Sequence, residues 1–162
     1  MSAKKDNDKT NAMRILESEG IHFIHLNYEA KEFIDGAETA DKLRLPHEKV
    51  FKTLVTTGAD KKNYVFVIPI DEELDLKKCA RAVNVKSVEM LHVKDLFRLT
   101  GYVRGGCSPI GMKKQFVTVI DSSAQTFSDI YISAGKIGSQ LNIAPDDLIR
   151  ASGAYYGDIV KR

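Results

Sequence analysis

Helices and strands follow one another along this chain without a fixed rhythm, which predicts an α+β fold: a single domain on a mixed sheet of about five to seven strands, with four or five helices among them. Three observations carry that prediction. Two runs rich in β-formers, 50–57 and 64–70, flank the polar turn segment 58–63 and read as a hairpin. Leu76, Cys79, Ala80 and Val83 recur at helical spacing behind Asp75, a good cap, leaving Lys77, Lys78 and Arg81 on the outer face. The remaining strands and helices do not alternate one for one, so a doubly wound parallel sheet is disfavoured.

The other elements follow in order. Residues 1–10 are charged and polar and read as a disordered tail, leaving 11–162 as the domain. Ala12, Ile15, Leu16 and Glu19 fall at helical spacing, and Gly20 supplies the stop. Residues 21–28 form a strand with Tyr28 at its end, followed by a polar loop, 29–35, that contains Phe33. Ala37, Ala40 and Leu43 mark a second helix closing before Pro46. Residues 88–91 are too few to classify, and 93–99 predict a helix ending at Gly101. A long loop, 101–114, then carries Gly101, Gly105, Gly106, Pro109 and Gly111. Residues 116–121, 129–133 and 141–144 are strands, and Pro145 suits the first turn of a terminal helix.

Composition sets the outer limits. The 162 residues are 43% hydrophobic and 28% charged, enough apolar mass for one core and far from disordered or fibrous compositions. The longest apolar run, 65–70, contains Pro69 and stops at Asp71, well short of the ~20 residues of a membrane span. With no apolar leader at the N-terminus, the expected location is the cytoplasm. Cys79 and Cys107, 28 positions apart, form neither a disulfide framework nor a metal motif and are read as thiols. A net charge of +2 gives no whole-molecule field for nucleic acid, so an RNA partner has to be held locally or by a helper protein.

Lys52 is the most informative single residue. Alternation puts Val50, Lys52 and Leu54 on one strand face, so a cation interrupts an apolar stripe next to a partner strand that is apolar on both faces. A half-buried ammonium points to a charged ligand, the alternative being a lysine snorkelling at the sheet rim. The glycines of 101–114 leave backbone amides open to a carbonyl oxygen, and Lys113 and Lys114 can meet phosphate; the alternative is a plain surface loop. No Gly-Lys-Ser/Thr ends that loop, which disfavours nucleotide triphosphate hydrolysis. Cys107 has no histidine near it in sequence to activate it as a nucleophile. His22 and His25 fall on opposite strand faces, and no metal is expected. Ser133 lacks a Gly-x-Ser-x-Gly elbow and reads as a strand-end hydroxyl that binds or caps.

Three segments, VFKTL from Val50, GYVRGGCSPIGMKK from Gly101 and YISAGKIG from Tyr131, resemble the signatures of the YbaK-type deacylases, free-standing relatives of the editing domain of bacterial prolyl-tRNA synthetases. The resemblance implies a mostly antiparallel sheet with barrel-like curvature and an activity that clears Cys-tRNA(Pro), extending to Cys-tRNA(Cys). It implies no cofactor, and as partners the 3′ acceptor end of aminoacyl-tRNA and prolyl-tRNA synthetase. Lys52 matches the essential lysine that engages the terminal adenosine or its phosphate, with Thr53 beside it. Gly105, Gly106, Ser108 and Pro109 match the loop set against the aminoacyl carbonyl. Tyr28, Phe33 and Ser133 match pocket positions. Gln140 stands where the family often has aspartate, and it can hydrogen-bond but carries no charge. In the implied mechanism the substrate's own cysteine thiol attacks its ester and leaves as a thiolactone. Two alternatives stand beside this: a deacylase for alanine, serine or threonine, and an RNA 3′-end or ligand-binding module without turnover.

Overall fold

A computed structural model describes residues 9–29 and 36–162. The expected tail lies mostly outside that range, as does Phe33. Thr10, assigned to the tail from sequence, is instead the N-cap of α1 (Asn11–Ser18): its Oγ1 accepts from Met13 N at 3.3 Å and donates to the Ala134 carbonyl. After β1 (Ile24–Asn27) come α2 (Gly36–Lys42) and a 3₁₀ turn, His47–Lys49. The hairpin is present as β2 (Phe51–Gly58) and β3 (Asn63–Pro69), followed by α3 (Leu76–Ala82) and β4 (Val88–Met90). The chain continues through α4 (Val93–Thr100), β5 (Val117–Asp121), a 3₁₀ turn over Ser122–Thr126, β6 (Ile130–Ser133) and β7 (Ser139–Ile143). It closes with α5 (Pro145–Ser152) and β8 (Tyr155–Gly157).

The class is α+β, as expected, with the strands divided between two sheets. One is ordered β4-β2-β3-β5-β8, antiparallel except for the β3/β5 and β5/β8 pairings; the other is the antiparallel set β1-β7-β6. Among the described residues a single parallel bridge, Val50 to Tyr131, joins them, so the sheets meet without closing. The strand count among the described residues is eight, above the expected five to seven, because both short segments pair: β4 on β2, and β8 on β5.

β3 is the centre of the molecule. Val65, Phe66, Val67 and Ile68 are fully buried, since both faces of the strand are covered. Phe66 and Ile68 pack with Cys79 and Ala80 of α3 on one side, while Val67 faces the main core formed with Leu16, Ile120, Ile132, Leu141 and Leu148. Each such side chain contributes roughly 1.5–3 kcal/mol of burial. Asp75 fixes the start of α3 by accepting from Lys77 N and Lys78 N at 3.1 Å, a cap of the ~1 kcal/mol class. The register of β4 leaves part of β2 uncovered. β4 pairs only with Thr56, Thr57 and Gly58, so among the described residues the first half of β2 has no strand on that side and faces the gap toward β6.

Candidate active site

That gap is a cavity of about 550 Å³. Its floor is Val50 and the first half of β2, Phe51 to Val55, and one wall is α2 with Ile70. The wall opposite is the β4–α4 segment together with Arg104, Gly105 and Cys107 from the long loop. Ser133 and Gln140 close the end. They are directly opposite each other in the β6/β7 ladder, and a cross-strand pair presents both side chains on the same face.

Lys52 enters this space half-buried. Its Nζ donates to the Ile70 carbonyl at 3.1 Å and meets no carboxylate among the described residues. A cation in such a place is held by one neutral acceptor, which leaves most of its donor capacity for an anionic or strongly dipolar ligand. Two further groups point the same way. Thr53 Oγ1 and Gln140 Oε1 are buried, belong to residues that line the cavity, and have no hydrogen-bond partner among the described residues. Leaving such an atom unsatisfied costs roughly 1–3 kcal/mol, a cost that a ligand able to hydrogen-bond with it removes.

The glycines of the loop do different jobs. Gly105 is exposed at the lip of the cavity and adopts the left-handed φ of 86°. Gly106 turns away from the cavity: a Cβ there would lie 2.9 Å from Lys136 Cα and 3.0 Å from Ile137 N. Its missing side chain allows the long loop to rest directly on the turn between β6 and β7 that follows Ser133. Ser108 and Pro109 are buried behind this contact, and Ser108 Oγ accepts from Ile110 N at 3.3 Å, bracing the loop from within. Tyr28 is also one layer back, its hydroxyl accepting from Thr39 Oγ1 at 3.5 Å while Thr39 lines the cavity.

Of the residues singled out from sequence, Lys52, Thr53, Gly105, Ser133 and Gln140 therefore line one cavity; Tyr28, Gly106 and Ser108 make contacts behind it, and Pro109 is buried in the loop without lining it. Ser133 Oγ accepts from Gly135 N at 3.1 Å, so it also shapes the turn. Cys107 lines the cavity too, but burial pushes its thiol up to about 12, which keeps it protonated at neutral pH and unsuited to attack. Sequence reasoning did not identify Arg104, Thr39 or the apolar wall of Met90, Leu91, Val93 and Leu96. Arg104 had a usable signal, since it directly precedes Gly105 in the glycine-rich segment. The α2 wall is tied down by His47, whose ring bridges Asp41 at 2.6 Å and Asp71 at 2.8 Å.

Comparison with known proteins gives a consistent picture. The family model described as the aminoacyl-tRNA editing domain matches residues 33–151. EbsC of Enterococcus faecalis, named for Cys-tRNA(Pro)/Cys-tRNA(Cys) deacylation, is 43% identical over 163 aligned residues, covering 100% of this chain and 99% of that protein. Proline–tRNA ligase of Trichlorobacter lovleyi is 27% identical over 100 residues, 62% of this chain but 17% of the ligase. A crystal structure titled for trans-editing with prolyl tRNA synthetase superposes with a TM-score of 0.80 at 21% identity, over 94% of this chain and 96% of that one, a likeness of fold.

Proposed function

The chain belongs to the aminoacyl-tRNA editing domain family, and we propose that it is a trans-acting deacylase that clears cysteine from mischarged tRNA(Pro), and from tRNA(Cys), working in the cytoplasm alongside prolyl-tRNA synthetase. One observation carries the reading: a half-buried lysine, and two residues whose buried polar atoms have no hydrogen-bond partner among the described residues, line one cavity whose lip is exposed glycine backbone. Lys52 engages the terminal adenosine and fixes the ester. The Gly105 peptide lies along the aminoacyl carbonyl, where backbone dipoles favour the charge that develops on its oxygen. Thr53 and Gln140 take the polar groups of the amino acid, and Ser133 sets the far end of the pocket.

The chemistry then belongs to the substrate. The cysteine sulfur forms a bond to its own ester carbonyl, the bond to the ribose oxygen breaks, and the thiol proton passes to that oxygen, giving a thiolactone and free tRNA. Holding the two groups in near-attack geometry supplies up to ~7–11 kcal/mol, so no protein nucleophile is needed. The protonated state of Cys107 supports this division of labour.

A second reading changes the amino acid to serine, threonine or alanine. For serine and threonine it draws on Thr53 Oγ1 and Gln140 Oε1, which suit a substrate hydroxyl as well as an amine. The test is deacylation of tRNA(Pro) carrying cysteine, alanine or serine by wild type and Lys52→Ala. Loss of the cysteinyl ester alone, abolished by the substitution, is the expected result. Preferential loss of the seryl or alanyl ester moves the specificity to the second reading, and binding without cleavage of any ester contradicts both.

A further inference from the structure

The cavity opens onto a surface that the proposed chemistry does not use. Val93, which lines the cavity, is 59% exposed, and Phe97, one turn along the same face of α4, is 58% exposed. Met90, which also lines the cavity, is exposed as well, so the patch is apolar and continuous with the mouth. Over it lies positive charge. Lys113 Nζ sits 5.1 Å from the centre of the Phe97 ring, and the Lys113 backbone is fastened to α4 through Thr100 O at 3.0 Å. Residues 93–114 hold five cations (Lys94, Arg98, Arg104, Lys113, Lys114) against one carboxylate, Asp95, which Arg98 already pairs at 3.3 Å. The whole chain is net +2, so this one segment is more positive than the molecule and the remainder is negative.

An exposed aromatic flanked by lysines is the arrangement that holds single-stranded nucleic acid, stacking bases on the ring while cations follow the phosphates. Spacing agrees. One helical turn is about 5.4 Å and stacked bases rise about 3.4 Å, so a strand whose last residue enters the cavity past Val93 brings its preceding one or two bases level with Phe97. We propose that the Phe97 face of α4, with Lys113 and Lys114, is the platform for the unpaired nucleotides that precede the terminal adenosine of the tRNA. This rests on the deacylase reading and extends it: the local charge supplies the RNA hold that the net charge of the protein does not.

The test uses a 5′-labelled single-stranded RNA dodecamer ending in CCA, with binding followed by anisotropy at rising KCl concentration. Phe97→Ala should weaken binding roughly tenfold, and Phe97→Trp, which keeps a ring, should restore it. Replacing Lys113 and Lys114 by glutamine should reduce the slope of log K against log salt by about 0.7 for each phosphate that is no longer neutralised. A cysteinyl ester of adenosine alone, which lacks the preceding nucleotides, should be cleaved equally by wild type and Phe97→Ala. Unchanged RNA affinity and salt slope in these variants overturns the proposal. So does a Phe97→Ala defect seen only when prolyl-tRNA synthetase is present, which would make this a protein-docking face, or a change in oligomeric state, which would make it a self-association face. If no ester is cleaved by wild type, the deacylase reading fails while the RNA measurement still judges the platform.

Discussion

Gly106→Ala tests the geometry on which the site depends. The added Cβ would lie 2.9 Å from Lys136 Cα and 3.0 Å from both Ile137 N and Lys136 C. All three are backbone atoms, so no side chain can swing aside, and the long loop has to back away from the turn beyond Ser133. The φ of Gly106 is not left-handed, so the penalty is steric alone. Overpacking of this kind costs about 1–3 kcal/mol, which for a chain of this size lowers Tm by roughly 2–12 °C. The same displacement moves Gly105 relative to Ser133 and Gln140 across the cavity. Since a 1 Å misplacement can cost ~10²-fold, a shift of a few tenths should lower the deacylation rate about tenfold. Melting and cleavage of Cys-tRNA(Pro), the latter assayed well below Tm, read the two effects separately. Unchanged melting and unchanged rate would refute the claim that these two backbones are held in contact and that their spacing sets the pocket.

Three other outcomes are expected. Thr53→Val and Gln140→Leu remove buried oxygens that make no hydrogen bond among the described residues, so stability in urea should hold or rise while cleavage falls about tenfold; lost stability with full activity would contradict their assignment to substrate. Cys107→Ala should retain activity within about threefold, because a buried thiol pushed up to about 12 supplies no thiolate; inactivation in a folded variant would reinstate it as the nucleophile. His47 is held above its ordinary value by hydrogen bonds to Asp41 and then Asp71. Its contribution to stability is therefore complete below the unfolded imidazole value of ~6.5 and is lost as pH rises through the higher folded one. The Tm gap between wild type and His47→Gln should be widest near about pH 6 and close in alkali; a gap independent of pH would show that the two ion pairs do not matter.

Much of this site was legible in the residues. A lysine inside an alternating apolar strand identifies Lys52, because the cost of burying a cation is local and shows in the pattern. The hairpin and the Asp75 cap were legible for the same reason: each is decided within a few residues. What was not legible depends on pairing between distant segments. Ser133 and Gln140 share a face only through the β6/β7 register, and the resemblance, not spacing, drew attention to them. β8 has three residues and no alternation of its own; its place beside β5 comes from tertiary packing. The cavity exists because β4 stops short along β2, and nothing in the sequence of either strand fixes that overlap. Thr10 was a missed signal, since a threonine just before a helical pattern is a regular N-cap. The protonation of Cys107 follows from burial, which a loop sequence does not disclose.

The most direct measurement of the central claim, that this protein positions an ester for attack by the substrate's own sulfur, is the cleavage rate of Cys-tRNA(Pro) beside that of the same tRNA carrying S-methylcysteine. The free thiol should be released rapidly as a thiolactone and the methylated ester should persist at the uncatalysed rate. Cleavage of both esters at similar rates, with S-methylcysteine as product, would mean that water is the nucleophile and would contradict the account.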